Sequence, residues 1–299
     1  MNWDYFLELG QNRSQQERLE APAGLAAGRV DALTIKFCRG NREDARREYM
    51  DFAAGQYRLC ECVTETFPRF DQLASSNWLA FEVEFELLTP WYSRDDRVFH
   101  VLDNPVRKDR VFGVPFMAAS SWKGMLRWAC RMQAGLRAHL ESGKPFREWK
   151  DPAWILHLFG NVKGEEEFHR GALVFYPTWF DRIGFAVINP HSRERRAGTQ
   201  PIYYEVVPPG AKGTLHLLYA PWPGMQPAAD PKEFMPHLLQ AIETLLTEYG
   251  ISAKRTVGWG TAKITRWKAF RRGATPVEAD SRDELCEQIQ NWLRGGNVT

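Results

Sequence analysis

Between Trp78 and Leu87 the side chains alternate strictly: Leu79, Phe81, Val83, Phe85 and Leu87 fall on one side, Glu82, Glu84 and Glu86 on the other. A period of two with a purely apolar face and an acidic face describes a strand buried on one side and wet on the other, the pattern of an antiparallel sheet covered on a single face. The elements that follow must therefore cover that face. Ser120-Ser121 opens a helix in which Trp122, Met125, Leu126, Ala129, Leu136 and Leu140 recur at helical spacing. Gly171 to Tyr176 and Gly213 to Tyr219 read as strands, and Pro231 to Tyr249 reads as an amphipathic helix with Pro at its start and Gly250 past its end. Gly260 to Trp267 is a last strand.

That order is βαββαβ, so the expected fold is α+β, a ferredoxin-like, RRM-like core with both helices on one sheet face. Two connections are too long to be simple turns: roughly 88–119 after the first strand and 177–212 between the middle strands. Each exceeds the ~12–15 residues beyond which a connection usually carries function or is disordered. The expected organisation is a helical N-terminal extension over 1–76, a ferredoxin-like domain over 77–270 with 177–212 as a protruding, thumb-like element, and a C-terminal helical tail over 271–299. Within the extension, Asn41 is placed to cap a charged helix reaching towards Glu61, whose face holding Tyr49, Phe52 and Tyr57 suits either an internal core or a protein contact. Asp280 to Arg294 reads as a terminal amphipathic helix.

Charge narrows the function classes. The net charge of the 299 residues is only +2, yet Ser252 to Arg272 holds seven Lys or Arg and no acid, and Pro105 to Arg131 holds six against one Asp. Two basic segments far apart in sequence make a phosphate-binding surface if folding joins them, and two solvated faces if it does not. No run approaches the ~18 apolar residues of a membrane span, and the start Met1-Asn2-Trp3-Asp4 lacks the features of a signal peptide, so a cytoplasmic protein is expected. Five cysteines without framework spacing suit reduced thiols. Cys60-x-Cys62 has no second pair to complete a zinc site. No P-loop, dinucleotide fingerprint or Ser-His-Asp order is readable.

Two segments carry binding chemistry. In Pro115 to Arg127, small residues precede a helix start, whose N–H groups and dipole favour an anion, with Ser120, Ser121, Lys123 and Gly124 in the first turns. Lys123, Arg127 and Arg131 lie four apart, hence on one helical stripe. In Gly250 to Gly260, Lys254 and Arg255 precede Gly258-Trp259-Gly260, where glycines permit close approach of a backbone and Trp259 suits a base. Taken singly, the first segment reads better as a plain helix start and Trp259 as core; it is their coincidence that favours a binding surface.

The motif Ser-Ser-x-Lys-Gly-x-x-Arg after a Pro, Phe159-Gly160 followed by Gly171, Glu205-Val206-Val207-Pro208-Pro209-Gly210 before a strand, and Ala-Lys-Arg-Thr-Val-Gly-Trp-Gly at the end resemble the RAMP superfamily. Within it they resemble the backbone-type subunits of type III CRISPR effector complexes. The resemblance spans about 78–268, with Ala118-Ala119 standing where the family usually has Pro-Gly. It implies binding of a CRISPR RNA guide, a complementary target RNA as second partner, other effector subunits as neighbours, and no membrane. It further implies that the 177–212 element, through His191, Arg193, Arg195 and Arg196, inserts between guide and target; a solvated loop is the plain alternative.

Three branches stay open. Leu102-Asp103-Asn104-Pro105 resembles the segment that holds the catalytic aspartate of target-cleaving subunits, which makes the chain an endoribonuclease with Asp103 either holding a divalent metal, Mg or Mn, or orienting a ribose 2′-hydroxyl. His100, three residues earlier, has the chemistry of an acid or base, and Asp95, Asp96 and Asp109 that of metal support; a loop histidine and solvating charge explain them as simply. Ile188-Asn189-Pro190-His191 and the Gly-Ile-Ser-Ala-Lys-Arg spacing of 250–255 resemble instead the subunit that caps the guide 3′ end. A processing endonuclease using a histidine without metal is the third branch.

Overall fold

The computed structural model describes residues 27–56, 59, 61–96, 100–110, 112–161, 169–189 and 201–294. These form two compact units interleaved in sequence, one built from 68–89, 117–178 and 212 onward, the other from the chain up to 67, 90–116 and 179–211.

The first unit is the sheet foreseen from the alternation. Its strands are β1 (Leu79–Leu87), β2 (Leu173–Phe175), β3 (Lys212–Tyr219), β4 (Ala262–Arg271) and β5 (Val277–Ala279), in the spatial order β5-β4-β1-β3-β2. All neighbours are antiparallel, with Val83 opposite Leu215 on one side and Trp267 on the other. Its longest helices are α1 (Ala119–Arg131), α2 (Pro231–Thr244) and α3 (Arg282–Arg294). The order β4-β1-β3-β2 is that of the ferredoxin-like fold. β5 is an addition at the β4 edge that the sequence pattern did not suggest.

Every odd residue of β1 from Leu79 to Leu87 is at most 2% exposed. They share the core with Trp122, Leu126 and Ala129 of α1 and Phe234, Leu238 and Ile242 of α2, and each such fully buried Leu or Phe contributes roughly 1.5–3 kcal/mol. Trp122 is polar at one edge, and that edge is satisfied: its Nε1 donates to Thr178 Oγ1 at 2.9 Å, and Thr178 donates onward to Thr214 O at 2.6 Å. Met125 is only half-buried and Leu140 is exposed, because α1 gives way after Arg131 to a wider turn at Met132–Leu136, where Gly135 has φ 105°. At the start of α2, Asp230 accepts from Lys232 N at 2.9 Å and Pro231 takes the first helical position. A short helix, Ala153–Phe159, was not foreseen.

On the opposite sheet face, Glu82, Glu84 and Glu86 are half-exposed, while Ala80 and Leu218 are buried under Phe70 and Leu73. Lys268 of β4 reaches Glu84 at 3.2 Å, so the acidic row is partly neutralised within the sheet.

The second unit gathers the N-terminal helices Ala27–Cys38 and Arg42–Ala53 with material from both long connections. Gly55–Gln56 pairs with Arg182–Ile188, which forms an antiparallel hairpin with Ile202–Val206. The 88–119 connection adds bridges Trp91 to Val207, Arg94 to Val106 and Lys108 to Pro115. Leu33, Tyr49, Ala53, Val101, Leu102 and Ile183 make its core, and the Trp91 and Phe180 rings meet at 4.9 Å. Tyr49 and Phe52 thus belong to an internal core, and Tyr57 lies outside the described residues. Two expectations are corrected: the charged helix ends at Ala53, and Asn41, although it precedes that helix, makes no side-chain cap hydrogen bond.

Glu205 is fully buried in this unit. Tyr49 donates to its Oε1 at 2.6 Å, while Lys108 Nζ at 2.5 Å and Val106 N at 3.0 Å donate to its Oε2. Burial alone would raise the Glu205 pKa, but the Lys108 and His100 charges and the bonds from Lys108 and Tyr49 outweigh it, and the carboxyl stays below its ordinary range.

Candidate nucleic-acid interface

α1 begins at Ala119, with Ala118 in an extended conformation as its N-cap and no side chain capping it. The serines therefore sit inside the first turn rather than before it: Ser120 is exposed, Ser121 half-buried, and the N–H groups of Ser121 and Trp122 bond back to Ala118 O at 3.0 and 3.1 Å. A helix N-terminus left without a side-chain cap keeps its positive end available to an anion.

Beside that end lies a cavity of about 540 Å³, lined by Ala119, Ser120 and Lys123 of α1, by Asn161, His169 and Arg170, and by Phe159 and Phe175. Gly171 is part of its wall, and Gly160 lies against Gly171. A Cβ on Gly160, whose φ is +70°, would stand 2.4 Å from His169 O, and one on Gly171 would stand 2.5 Å from the Phe159 carbonyl carbon. The chain entering at Phe159–Gly160 and the chain leaving at Arg170–Gly171 touch backbone to backbone, closed by Asn161 N to His169 O at 3.0 Å and His169 N to Asn161 Oδ1 at 2.7 Å. Lys123 is exposed, and partial desolvation, with the Arg127 charge adding to it, lowers its pKa. An incoming anion would reverse that shift.

The helical stripe divides in use. Lys123 lines the cavity, whereas Arg127 and Arg131 both hold Asp151, at 2.6 Å each for the nearest atoms. The Asp151 side chain is 3% exposed and also accepts from Trp149 Nε1 at 2.8 Å. Burial opposes its ionisation, but the bonds from Arg131, Arg127 and Trp149 prevail and hold its carboxyl below the ordinary range. Gly124 is exposed on the outer side of the helix.

Folding brings the second basic segment to this helix. The guanidinium of Arg255 lies 4.5 Å from the centre of the Trp128 ring, which in turn meets Tyr249 edge-on at 4.8 Å. Lys254 and Trp259 are half-buried and joined through the backbone, Lys254 O accepting from Trp259 N at 3.3 Å. Gly258 is left-handed and exposed, while Gly260 is buried against Ser252. Sequence reasoning found both segments but missed Asn161, His169, Arg170 and Asp151; the one signal for them was the Gly160 and Gly171 pair, which marks a close backbone crossing without saying which side chains it presents.

Asp103 belongs to the other unit. Its side chain is 79% exposed, and Arg46 Nη2 reaches its two oxygens at 3.1 and 3.3 Å while Arg46 Nε donates to Val101 O at 3.1 Å. The loop is anchored on its other flank by Asn104, whose Nδ2 donates to Tyr203 O at 3.0 Å and whose O accepts from Glu205 N at 3.0 Å. His100 faces inward: its Nδ1 accepts from Leu102 N at 3.0 Å and its ring meets Tyr49 edge-on. The other carboxylates are committed separately, Asp95 to Lys108 N, Asp96 to Arg110 and Asp109 to Phe112 N. Among the described residues no three His, Cys, Asp or Glu side chains gather as a metal site. A divalent ion would find at Asp103 one carboxylate already shared with a guanidinium, which is a poor donor set for it. His191, Arg193, Arg195 and Arg196, like Cys60, lie outside the described residues, as does the Cys62 side chain.

A family model for the RAMP superfamily matches residues 84–263. This chain belongs to the RAMP superfamily. Among solved structures, the RAMP fold here is similar to a chain of the type III-B Cmr-beta complex bound to cognate target RNA, with a TM-score of 0.52 and 18% identity over 78% of this chain and 75% of that one. A chain of the Csm3-Csm4 subcomplex of the type III-A CRISPR-Cas interference complex also matches, with a TM-score of 0.43 and 18% identity over 73% of this chain and 98% of that one. No curated protein matches the sequence. Among the described residues no helix is long and apolar enough to cross a membrane.

Proposed function

We propose that this RAMP chain is a guide-RNA-binding subunit of a type III CRISPR effector complex, with a complementary target RNA and other effector subunits as its partners. The observation that carries the reading is the cavity at the uncapped start of α1, where Lys123, His169 and Arg170 surround a space fit for a phosphodiester. The loop holding Lys254 and Arg255 is docked on the same helix through Trp128 and extends the basic surface. The test is to purify the chain with its natural partners, identify the RNA that accompanies it, and measure affinity against salt. Lys123→Glu is expected to remove most of the affinity, and Lys123→Ala to shallow the log–log salt slope by about one contact. An affinity unchanged by Lys123→Glu overturns the reading.

Cleavage of the target at Asp103 is the second reading, favoured by an exposed carboxylate on a loop anchored on both flanks. In it Asp103 orients the attacking 2′-hydroxyl and Arg46 meets charge on the phosphate. The complex is presented with complementary RNA, with and without divalent metal, as wild type and as Asp103→Ala. Cuts lost in the mutant support this reading; guide retained with mutant-insensitive or absent cuts assigns the chain to assembly or to capping of the guide 3′ end. Cutting of repeat hairpins by the isolated chain in chelator would instead mark a processing endonuclease.

A further inference from the structure

Among the described residues Trp222 is the one exposed tryptophan, at 57%, in a chain that fully buries Trp91, Trp122 and Trp267. An indole left this exposed offers a large flat face to a partner.

The ring is fixed. Its loop is tied at one end by Ala220 N to Ala172 O at 2.8 Å, and Met225 N closes a turn on Trp222 O at 3.1 Å. At the other end Pro227 O, which can only accept, takes a bond from His157 Nδ1 at 2.9 Å, so His157 Nε2 is left to accept from the Tyr219 hydroxyl at 2.9 Å. The neutral imidazole that this pattern requires is the form burial favours, since burial lowers the His157 pKa. The loop that presents Trp222 is therefore held by the sheet unit on both sides.

The ring is also charged on one face. The Arg170 guanidinium lies 4.6 Å from its centre, and Arg170 is itself a wall of the cavity that holds Lys123 and His169. An exposed indole backed by a guanidinium, next to a cationic pocket of about 540 Å³ with room for a stretch of sugar-phosphate backbone, is the pairing by which proteins hold single-stranded nucleic acid: the pocket takes the backbone and the ring takes a base. The side chain seated on the ring is a guanidinium, which suits a nucleobase and its phosphate as neighbours.

The geometry points to Trp222 as a stacking platform for one unpaired RNA base, with Arg170 joining it to the phosphate pocket at the start of α1. This rests on the RNA-binding reading above and adds to it a residue outside every segment that the sequence singled out. It makes the chain a binder of unpaired rather than fully duplexed RNA at this point.

The test uses the full chain and a single-stranded RNA in which 2-aminopurine replaces one base at a time. Wild type is expected to quench the probe at one position, as stacking does. Trp222→Ala is expected to abolish that quench and weaken binding about 5- to 150-fold, with Trp222→Phe retaining most of it and Arg170→Ala intermediate. Thermal unfolding of Trp222→Ala should match wild type, since the ring is exposed. If Lys123→Glu loses RNA while Trp222→Ala keeps wild-type affinity and quench, the platform is overturned and the RNA-binding reading stands. If the wild type binds no RNA, both fall. If Trp222→Ala keeps RNA but loses co-purifying subunits, the ring is a protein contact and the platform is likewise overturned.

Discussion

Arg255 stands with its guanidinium 4.5 Å from the centre of the Trp128 ring, so the loop before the last core strand is fastened to the middle of α1. Such a contact is worth about 0.5–2 kcal/mol depending on how far it is desolvated, and here both residues are half-buried. Trp128→Ala is expected to lower stability by more than that, because edge contact with Tyr249 is lost as well. Arg255→Lys keeps the charge and loses the flat stack, so RNA affinity should fall less than with Arg255→Glu. Binding and denaturant titrations on the same variants separate the two roles.

The two glycines of that loop predict opposite tolerances. Gly258 and Gly260 have φ of +82° and +88°, but a Cβ on Gly258 meets nothing within 4 Å, whereas one on Gly260 would stand 2.4 Å from Ser252 N. Gly258→Ala is expected to cost the left-handed strain alone, about 1–2 kcal/mol. Gly260→Ala must also push two backbones apart and should cost clearly more. Equal urea midpoints for the two variants would contradict this account.

Lys108 and Glu205 are a buried pair, 4% and 0% exposed at their side chains. Removing either partner leaves the other charge stranded, so Lys108→Ala and Glu205→Ala should each cost about 3–5 kcal/mol. A double change to Met and Leu should recover part of it, but not all, because Tyr49 OH and Val106 N lose their acceptor. The pH sign follows from the lowered Glu205 pKa: its contribution is present above the unfolded value near 4.5 and is lost as pH falls through the lower folded value. Chemical unfolding followed from about pH 5 downward should show that loss, and Glu205→Gln should flatten it.

His216 works in the neighbouring range. It lies on the outer sheet face, opposite Glu82 in register and near the Phe70 ring, and burial pushes its pKa down to about 4 against a partial opposing pull from Glu84. The unfolded chain takes up a proton near 6.5 and the folded chain does not until about 4, so stability falls as pH drops through that window, by roughly 3 kcal/mol at most. Glu82, whose pKa burial raises, has the opposite sign. His216→Phe removes the His216 part alone and should lessen the acid destabilisation between those values; an unchanged pH profile would show that His216 is not its source.

The core of the fold was legible because its signals are local. Alternation in β1, apolar spacing in α1 and α2, and the Pro at the start of α2 each depend on a few adjacent residues and one burial face. The same holds for the basic helix start and the glycine loop, since charge and backbone freedom are carried by the residue type. What the sequence alone determined is therefore the βαββαβ order, the buried face, and the two basic segments.

Tertiary structure decided which of these groups are available and what surrounds them. Only folding puts Asp151 between Arg127 and Arg131, Arg46 on Asp103, and Trp222 over Arg170, because each pairs residues 20 or more positions apart through a chain reversal that no local pattern encodes. It also made one folded unit from what reads as an extension and two insertions: Tyr49, Lys108 and Glu205 come from three separate stretches and meet because a buried carboxylate must find its donors wherever the chain can bring them.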